Sequence, residues 1–228
     1  MTLQERFIAA FIESDRWKLY ISGLGITLEI ALFAGIIGII IGTLLALMKL
    51  STTEDGKPTI PNYIATIYID VIRGTPSVLQ LLIMWFIIMA SSNNGILVAS
   101  LSFGINSGAY VAEIVRGGIL AVDKGQMEAG RSLGLSKWAT MRYIILPQAV
   151  KNVIPPLGNE FITLIKETAI VGYVSLTDLT RVANQIASRT YDAFMPLIGV
   201  AVIYFVIIKL LTIFLGKIER RMRRSDIR

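Results

Sequence analysis

The chain reads as a single all-α membrane domain, residues 1–228, crossing the bilayer five times with its N-terminus outside and its C-terminus in the cytoplasm. Three observations carry that expectation. Of 228 residues, 54% are apolar and only 17% charged, with a mean hydropathy of +0.65, too apolar for a water-soluble domain of this length. The apolar residues fall into charge-poor runs near the roughly 20 residues a helix needs to cross about 30 Å of hydrocarbon. The basic residues gather beside those runs, mostly on one side.

The first span lies at about 20–48, where Glu29 is the single charge in the 29 residues from Tyr20 to Met48. At about 1.5 Å per residue the run exceeds the hydrocarbon thickness and must tilt or protrude. Gly74 to Ala112 carries no charge over 39 residues, and Ser91-Ser92-Asn93-Asn94-Gly95 supplies the turn that divides it into spans of about 76–90 and 96–120. A fourth span runs over about 147–165 and a fifth over about 194–215, with Lys209 placed to snorkel. Ahead of the first span, Phe7, Ile8, Phe11 and Ile12 alternate with Arg6, Glu13 and Lys18, which fits either a short amphipathic helix on the outer surface or a solvated tail. The mixed charge there, and the length of the first apolar run, argue against a cleavable signal.

With the N-terminus outside, 16 of the 22 Lys and Arg residues fall on the inner side, six of them in the tail from Lys217 to Arg228. The net charge of +6 and pI near 9.6 are thereby explained by membrane flanks, and no nucleic acid is called for. The chain has no Cys and no His, which excludes disulfides, thiolate or zinc sites and a histidine base. A phosphate loop is absent too, since Gly56-Lys57 is followed by Pro58 and Gly216-Lys217 by Ile218. Any ATP must be hydrolysed on another chain.

Between the third and fourth spans lies a polar island, about 123–146, with Glu128-Ala129-Gly130-Arg131-Ser132-Leu133-Gly134 and, after nine residues, Ile144-Ile145-Leu146-Pro147. It reads as two short cytoplasmic helices, one beginning at Glu128 and Ala129 and one over Lys137 to Ile145, reversed at Gly134 and presented to a soluble partner. The segment resembles the coupling motif of permease subunits of ATP-binding-cassette importers: Glu-Ala-Ala, three residues, Gly, nine residues, Ile-x-Leu-Pro. It departs from that pattern at Gly130, where the second alanine is expected.

A second stretch, Arg73-Gly74-Thr75-Pro76 followed by Leu79-Gln80-Leu81-Leu82, reads as a helix start, with Pro76 in the first turn and Gly74 allowing the preceding bend. It looks like the same region in permeases for polar amino acids. Ser107 to Leu120, Asp123 to Gln126, Pro155 to Phe161 and Leu164 to Thr168 extend the similarity to about residues 20–215. The resemblance implies alternating access in a bacterial cytoplasmic membrane. It also implies a second permease chain, identical or paralogous, two ATPase subunits that hold ATP and magnesium, and an extracytoplasmic amino-acid-binding protein. This chain would bind no cofactor and perform no covalent chemistry. An ion-coupled secondary transporter or channel is the alternative, and a membrane assembly factor the third reading.

For the pathway, Pro155, Pro156 and Gly158 are expected to break the fourth span, with Asn159 and Glu160 just beyond. A carboxylate at a span's centre costs about 2.5–3.5 kcal/mol on insertion scales, so Glu160 faces a wet path or a structural partner such as Lys166 or a second protomer. Beside a broken helix Glu160 and Asn159 suit an ammonium or guanidinium, which favours a cationic amino acid, with glutamine or another polar neutral next. Glu113 and Arg116, three apart, are read as a self-contained pair. Glu29 is either wetted at the surface or lines the path. Lys166 and Glu167 are either a gate, a binding-protein contact or ordinary interface charges.

Overall fold

The computed structural model describes residues 2–53 and 55–223, and all its regular elements are helical. Arg224 and Arg228, counted in the orientation argument, lie outside the described residues.

A short α1 (Leu3–Phe7) opens on a reciprocal cap between Thr2 and Glu5 and continues through a wide turn, Ile8–Ile12, and a kink at Ser14 and Asp15 then leads to the long α2 (Arg16–Lys49). Then come α3 (Ile60–Arg73), α4 (Ser77–Ile83, prolonged by a wide turn to Ile88) and α5 (Gly95–Leu120). The polar island forms α6 (Lys124–Ser132) and α7 (Lys137–Thr140), the latter running through Met141–Ile145 into α8 (Leu146–Glu167). A 3₁₀ stretch, Thr168–Val174, leads to α9 (Leu179–Thr190) and α10 (Phe194–Arg223).

Three of the described helical stretches are long and apolar enough to cross a membrane: Leu3–Lys49, Gly95–Leu120 and Phe194–Met222. The pair Ile60–Arg73 and Ser77–Ile88, bent at the break between them, adds a fourth when taken as one span. The expected second span, 76–90, coincides with Ser77–Ile88. Ser77–Ile88 rises only about 18 Å at 1.5 Å per residue, and α3, unforeseen in the sequence, precedes it. The expected break in the fourth span is corrected, because α8 passes through Pro155 and Pro156 without interruption. A proline removes one donor and crowds one carbonyl, and the surrounding turns hold.

The chain divides into two compact units: Met1–Ile36, Pro76–Gly104 and Phe161–Thr212 form one, and Ile37–Thr75, Ile105–Glu160 and Ile213–Arg228 the other. Helices α2, α5, α8 and α10 contribute residues to both.

The first unit packs Ile30, Ala31 and Ala34 of α2 with Leu81, Ala99, Phe103, Leu164 and Ile165. A second cluster sets Leu179, Val182, Ala183 and Ile186, one face of α9, against Tyr20 and Val200. Asp178 caps α9, accepting from the N–H groups of Thr180 and Arg181 at 2.9 Å each, and is fully buried. Phe11 stacks on Tyr20 with ring centroids 5.0 Å apart, so the N-terminal segment is a helix packed on this core and not a solvated tail.

In the second unit Leu45, Ala65, Ile69, Ala109 and Ala112 form the core between α2, α3 and α5. The Tyr68 hydroxyl donates to the Ile105 carbonyl at 2.8 Å. Val122, Ile145 and Ala149 hold the foot of α8 against the end of α5.

Candidate functional site

Helices α5 and α8 are fixed in antiparallel register by two contacts in the second unit. Ser107 Oγ donates to Glu160 Oε1 at 2.7 Å, and Asn152 Nδ2 donates to the Gly118 carbonyl at 3.3 Å. Gly118 makes the second possible, because a β-carbon there would lie 2.3 Å from Val153 Cγ2.

Between these levels α5 and α8 line an open cavity of about 460 Å³. Its α5 wall is Tyr110, Glu113, Gly117 and Ala121, one helical stripe, and its α8 wall is Asn152, Pro156 and Glu160 at four-residue spacing. Arg73, the last residue of α3, completes it with its guanidinium 5.2 Å from the Tyr110 ring centroid, a cation–π distance.

The charges around the cavity are unequally matched. Glu113 accepts from Lys49 Nζ at 2.6 Å and from Arg116 Nη2 at 2.7 Å. The expected Glu113–Arg116 pair is therefore present, with Lys49 as a third member that spacing alone did not indicate. Glu160 has a neutral hydroxyl instead, and neither Glu160 nor Arg73 enters an ion pair among the described residues. A single hydroxyl bond offsets only part of the cost of burying a carboxylate. The cavity thus offers one under-compensated anion and one cation to a solute that carries both signs.

Three other residues expected on the pathway, Asn159, Glu29 and Lys166, are not in the wall of this cavity. Asn159 is exposed on α8 and is not in the cavity wall. Glu29 on α2 and Lys166 near the end of α8 are exposed and belong to the first unit. That unit has a larger cavity, about 570 Å³, around Arg181, Asn184, Gln185 and Ser188, without a carboxylate in its wall. Ser107, Tyr110 and Asn152 were not singled out for the pathway, because each is ordinary helix content until α5 and α8 are placed side by side, and Pro156 was singled out only as a helix breaker.

The polar island forms a helix–turn–helix. Asp123 caps α6 by accepting from the Gly125 N–H at 2.7 Å, so α6 begins at Lys124 and Glu128 and Ala129 sit in its middle, exposed. This corrects the expectation that they begin the helix, and the Asp123 side chain is the reason. Gly134 reverses the chain at φ +85°. Its N–H bonds to the Arg131 carbonyl at 3.0 Å and that of Leu135 to Gly130 at 3.1 Å, the paired closure of a Schellman end. Ser136 then caps α7, accepting from the Ala139 N–H at 3.1 Å.

Gly130 is buried against α7: a β-carbon there would meet Thr140 Cγ2 at 2.5 Å and Ile144 Cδ1 at 3.1 Å. Ile144 and Leu146 are half-buried and Pro147 exposed. Leu133, Trp138 and Tyr143 stand out at 81%, 66% and 69% exposure.

At the other motif, Gly74 ends α3 and Pro76 caps α4 from an extended conformation. Gly74 has φ −84°, so freedom of the backbone is not what it supplies, and the expected reason is corrected. A β-carbon there would lie 2.7 Å from the Asp70 carbonyl oxygen, which makes it a close-approach glycine. Thr75 Oγ1 donates to the Val71 carbonyl at 3.0 Å.

Residues 38–224 match the family described as binding-protein-dependent transport system inner membrane component. The arginine transport system permease protein ArtQ of Bacillus subtilis is 43% identical over 90% of this chain and 93% of its own length. The glutamine transport system permease protein GlnP of Escherichia coli is 39% identical over 95% of this chain and 94% of its own. Among solved structures, an amino acid ABC transporter crystallised with histidines aligns with TM-score 0.82 and 46% identity, covering 90% of this chain and 94% of that one. A MetNI methionine ABC transporter in an inward-facing conformation shares the fold, with TM-score 0.79 and 21% identity over 92% and 99% of the two chains. The chain belongs to the binding-protein-dependent inner membrane component family, and it is a permease subunit of an ATP-binding-cassette importer, in which ATP hydrolysis is carried by separate subunits.

Proposed function

We propose that this chain forms, with a second permease chain, the membrane pathway of an importer for a polar amino acid, most suited to one with a cationic or amide side chain. The observation that carries the reading is the cavity that brings Glu160 and Arg73 together. A zwitterion presents an ammonium to Glu160 and a carboxylate to Arg73, each a charge-assisted contact. The names of the relatives, arginine and glutamine permeases, agree with it.

The five spans of this reading are α2, the α3–α4 pair, α5, α8 and α10, with the N-terminus outside. The basic residues at Lys49, Lys57, Lys124, Arg131, Lys137 and Arg142 support that orientation, since they put the α6–α7 knob in the cytoplasm. The knob seats in an ATPase subunit that holds ATP and magnesium, and an external binding protein delivers the substrate to the bacterial cytoplasmic membrane. Native mass spectrometry of the complex purified from membranes tests this assembly. A mass equal to two permease chains and two ATPase chains agrees with it, and a chain that purifies without an ATPase contradicts it.

A further inference from the structure

The end of the cavity opposite Arg73 and Glu160 has its own chemistry. Asn152 and Glu160 are eight residues apart on α8, about 12 Å at 1.5 Å per residue, and both line the cavity. Pro156 lies between them inside the helix. Having no N–H, it leaves the Asn152 carbonyl without the donor that an unbroken ladder would provide four residues on. Across from it on α5 is Gly117, and a β-carbon built there has no atom within 4 Å. Gly118 beside it is required by packing, with Val153 at 2.3 Å, whereas no neighbour requires Gly117 to be a glycine. A glycine within a helix is disfavoured relative to alanine, and here the space it leaves is cavity.

We infer that the Gly117–Asn152 end is the side-chain subsite of the pathway. Gly117 sets the length of side chain admitted, and the Asn152 carbonyl freed by Pro156 accepts a hydrogen bond from a side chain ending in guanidinium, ammonium or carboxamide. The inference rests on the reading of Glu160 and Arg73 as the backbone-binding end. It adds to that reading which side chains are favoured and which two residues make the choice.

The test uses the permease–ATPase complex in detergent, without the binding protein, so that selection by the permease is measured directly. Equilibrium binding of L-arginine, L-glutamine and L-norleucine is compared in the unaltered complex and in Pro156→Ala, Gly117→Leu and Glu160→Gln. Pro156→Ala returns an N–H to the helix and should strengthen the fold, so a loss of binding cannot be ascribed to unfolding. The expected result is that Pro156→Ala weakens arginine and glutamine about tenfold relative to norleucine. Gly117→Leu should weaken all three long side chains about tenfold or more while L-alanine still competes for the site. Unchanged arginine-to-norleucine selectivity in Pro156→Ala, or full arginine affinity in Gly117→Leu, overturns the inference. If Glu160→Gln leaves arginine affinity untouched, the reading of the whole cavity fails and this inference with it. If Glu160→Gln abolishes binding while the other two variants behave as the unaltered complex, the side-chain subsite alone is wrong.

Discussion

Ser107 Oγ donates to Glu160 Oε1 at 2.7 Å, joining α5 and α8 through a neutral group where an ion pair would have been expected. In the function proposed above, Glu160 is the contact for a passing cation. Replacing it by Gln removes one charge-assisted contact to substrate, worth about 1.5–3 kcal/mol, or roughly tenfold to a hundredfold. ATP-driven uptake of L-arginine is expected to fall by at least about tenfold in Glu160→Gln. Unchanged uptake of both cationic and neutral amino acids would make the residue structural.

Glu113 is held between Lys49 and Arg116 at 2.6 and 2.7 Å, with about a fifth of its side chain exposed. Truncating Lys49 to Met leaves Arg116 in place, so the loss should be partial, about 1 kcal/mol or less. Glu113→Gln leaves two cations unmatched and should cost more. A double-mutant cycle on thermal unfolding in detergent checks the pair, with non-additivity expected. Strict additivity would show that the Lys49 contact contributes nothing.

The reversal at Gly134 was legible because a glycine between polar residues, at a spacing shared with the coupling motif, has few other uses; its φ of +85° agrees. The position of Glu128 was misread because Asp123, an equally ordinary capping residue five positions earlier, starts the helix first. Helix α3 was not legible. It has only 14 residues, includes Asn62 and Asp70, and depends on packing of Ala65 and Ile69 against Leu45, Ala109 and Ala112. The cavity was half legible: Glu160 stood out as an acid in an apolar run, whereas Tyr110, Gly117 and Asn152 gain meaning only from the α5–α8 register. Prolines 155 and 156 suggested a break, and local sequence does not reveal that flanking turns carry the helix across.

A β-carbon at Gly134 would meet nothing within 4 Å, so a substitution there is limited by its backbone and not by space in this chain. The left-handed conformation costs a side-chain-bearing residue about 1–2 kcal/mol, least for Asn and most for a branched residue. Gly134→Val is expected to leave a membrane-inserted permease that no longer retains the ATPase in pull-down. Gly134→Asn should retain it. Glu128→Ala, at an exposed mid-helix position, should lower coupled uptake less than Gly134→Val does. Normal ATPase retention by Gly134→Val would remove the α6–α7 turn from the coupling role.

Gly130 and Thr140 form a size-matched pair, since an alanine at 130 would put its β-carbon 2.5 Å from Thr140 Cγ2. Restoring the motif's usual alanine by Gly130→Ala should therefore weaken this chain's knob, by about 1–3 kcal/mol as overpacking. Adding Thr140→Ala should recover most of the loss. Thermal unfolding and ATPase retention of the single and double variants decide this, and a single variant equal to the unaltered chain would show that α7 shifts freely.

Asp178, outside the spans, is pushed above its ordinary 3.8 by burial, against the N–H bonds from Thr180 and Arg181 that favour its charged form. A carboxyl raised in the folded state contributes stability that is present below the unfolded value and lost as pH rises through the folded one. Asp178→Asn keeps the helix cap and removes the titration. The stability difference between Asp178→Asn and the unaltered chain should grow in favour of the variant as pH rises from below 4 toward neutrality. A difference that does not vary with pH would mean that the carboxyl does not titrate with folding.

If this chain is a pathway driven by ATP through its α6–α7 knob, labelled L-arginine or L-glutamine should accumulate in proteoliposomes holding the permease, its ATPase and the binding protein. ATP is supplied to the ATPase side, with proton and sodium gradients collapsed. Accumulation that requires ATP and the ATPase, and that is lost in Gly134→Val, is the result expected. Accumulation by the permease alone, driven by an ion gradient and indifferent to ATP, would contradict it.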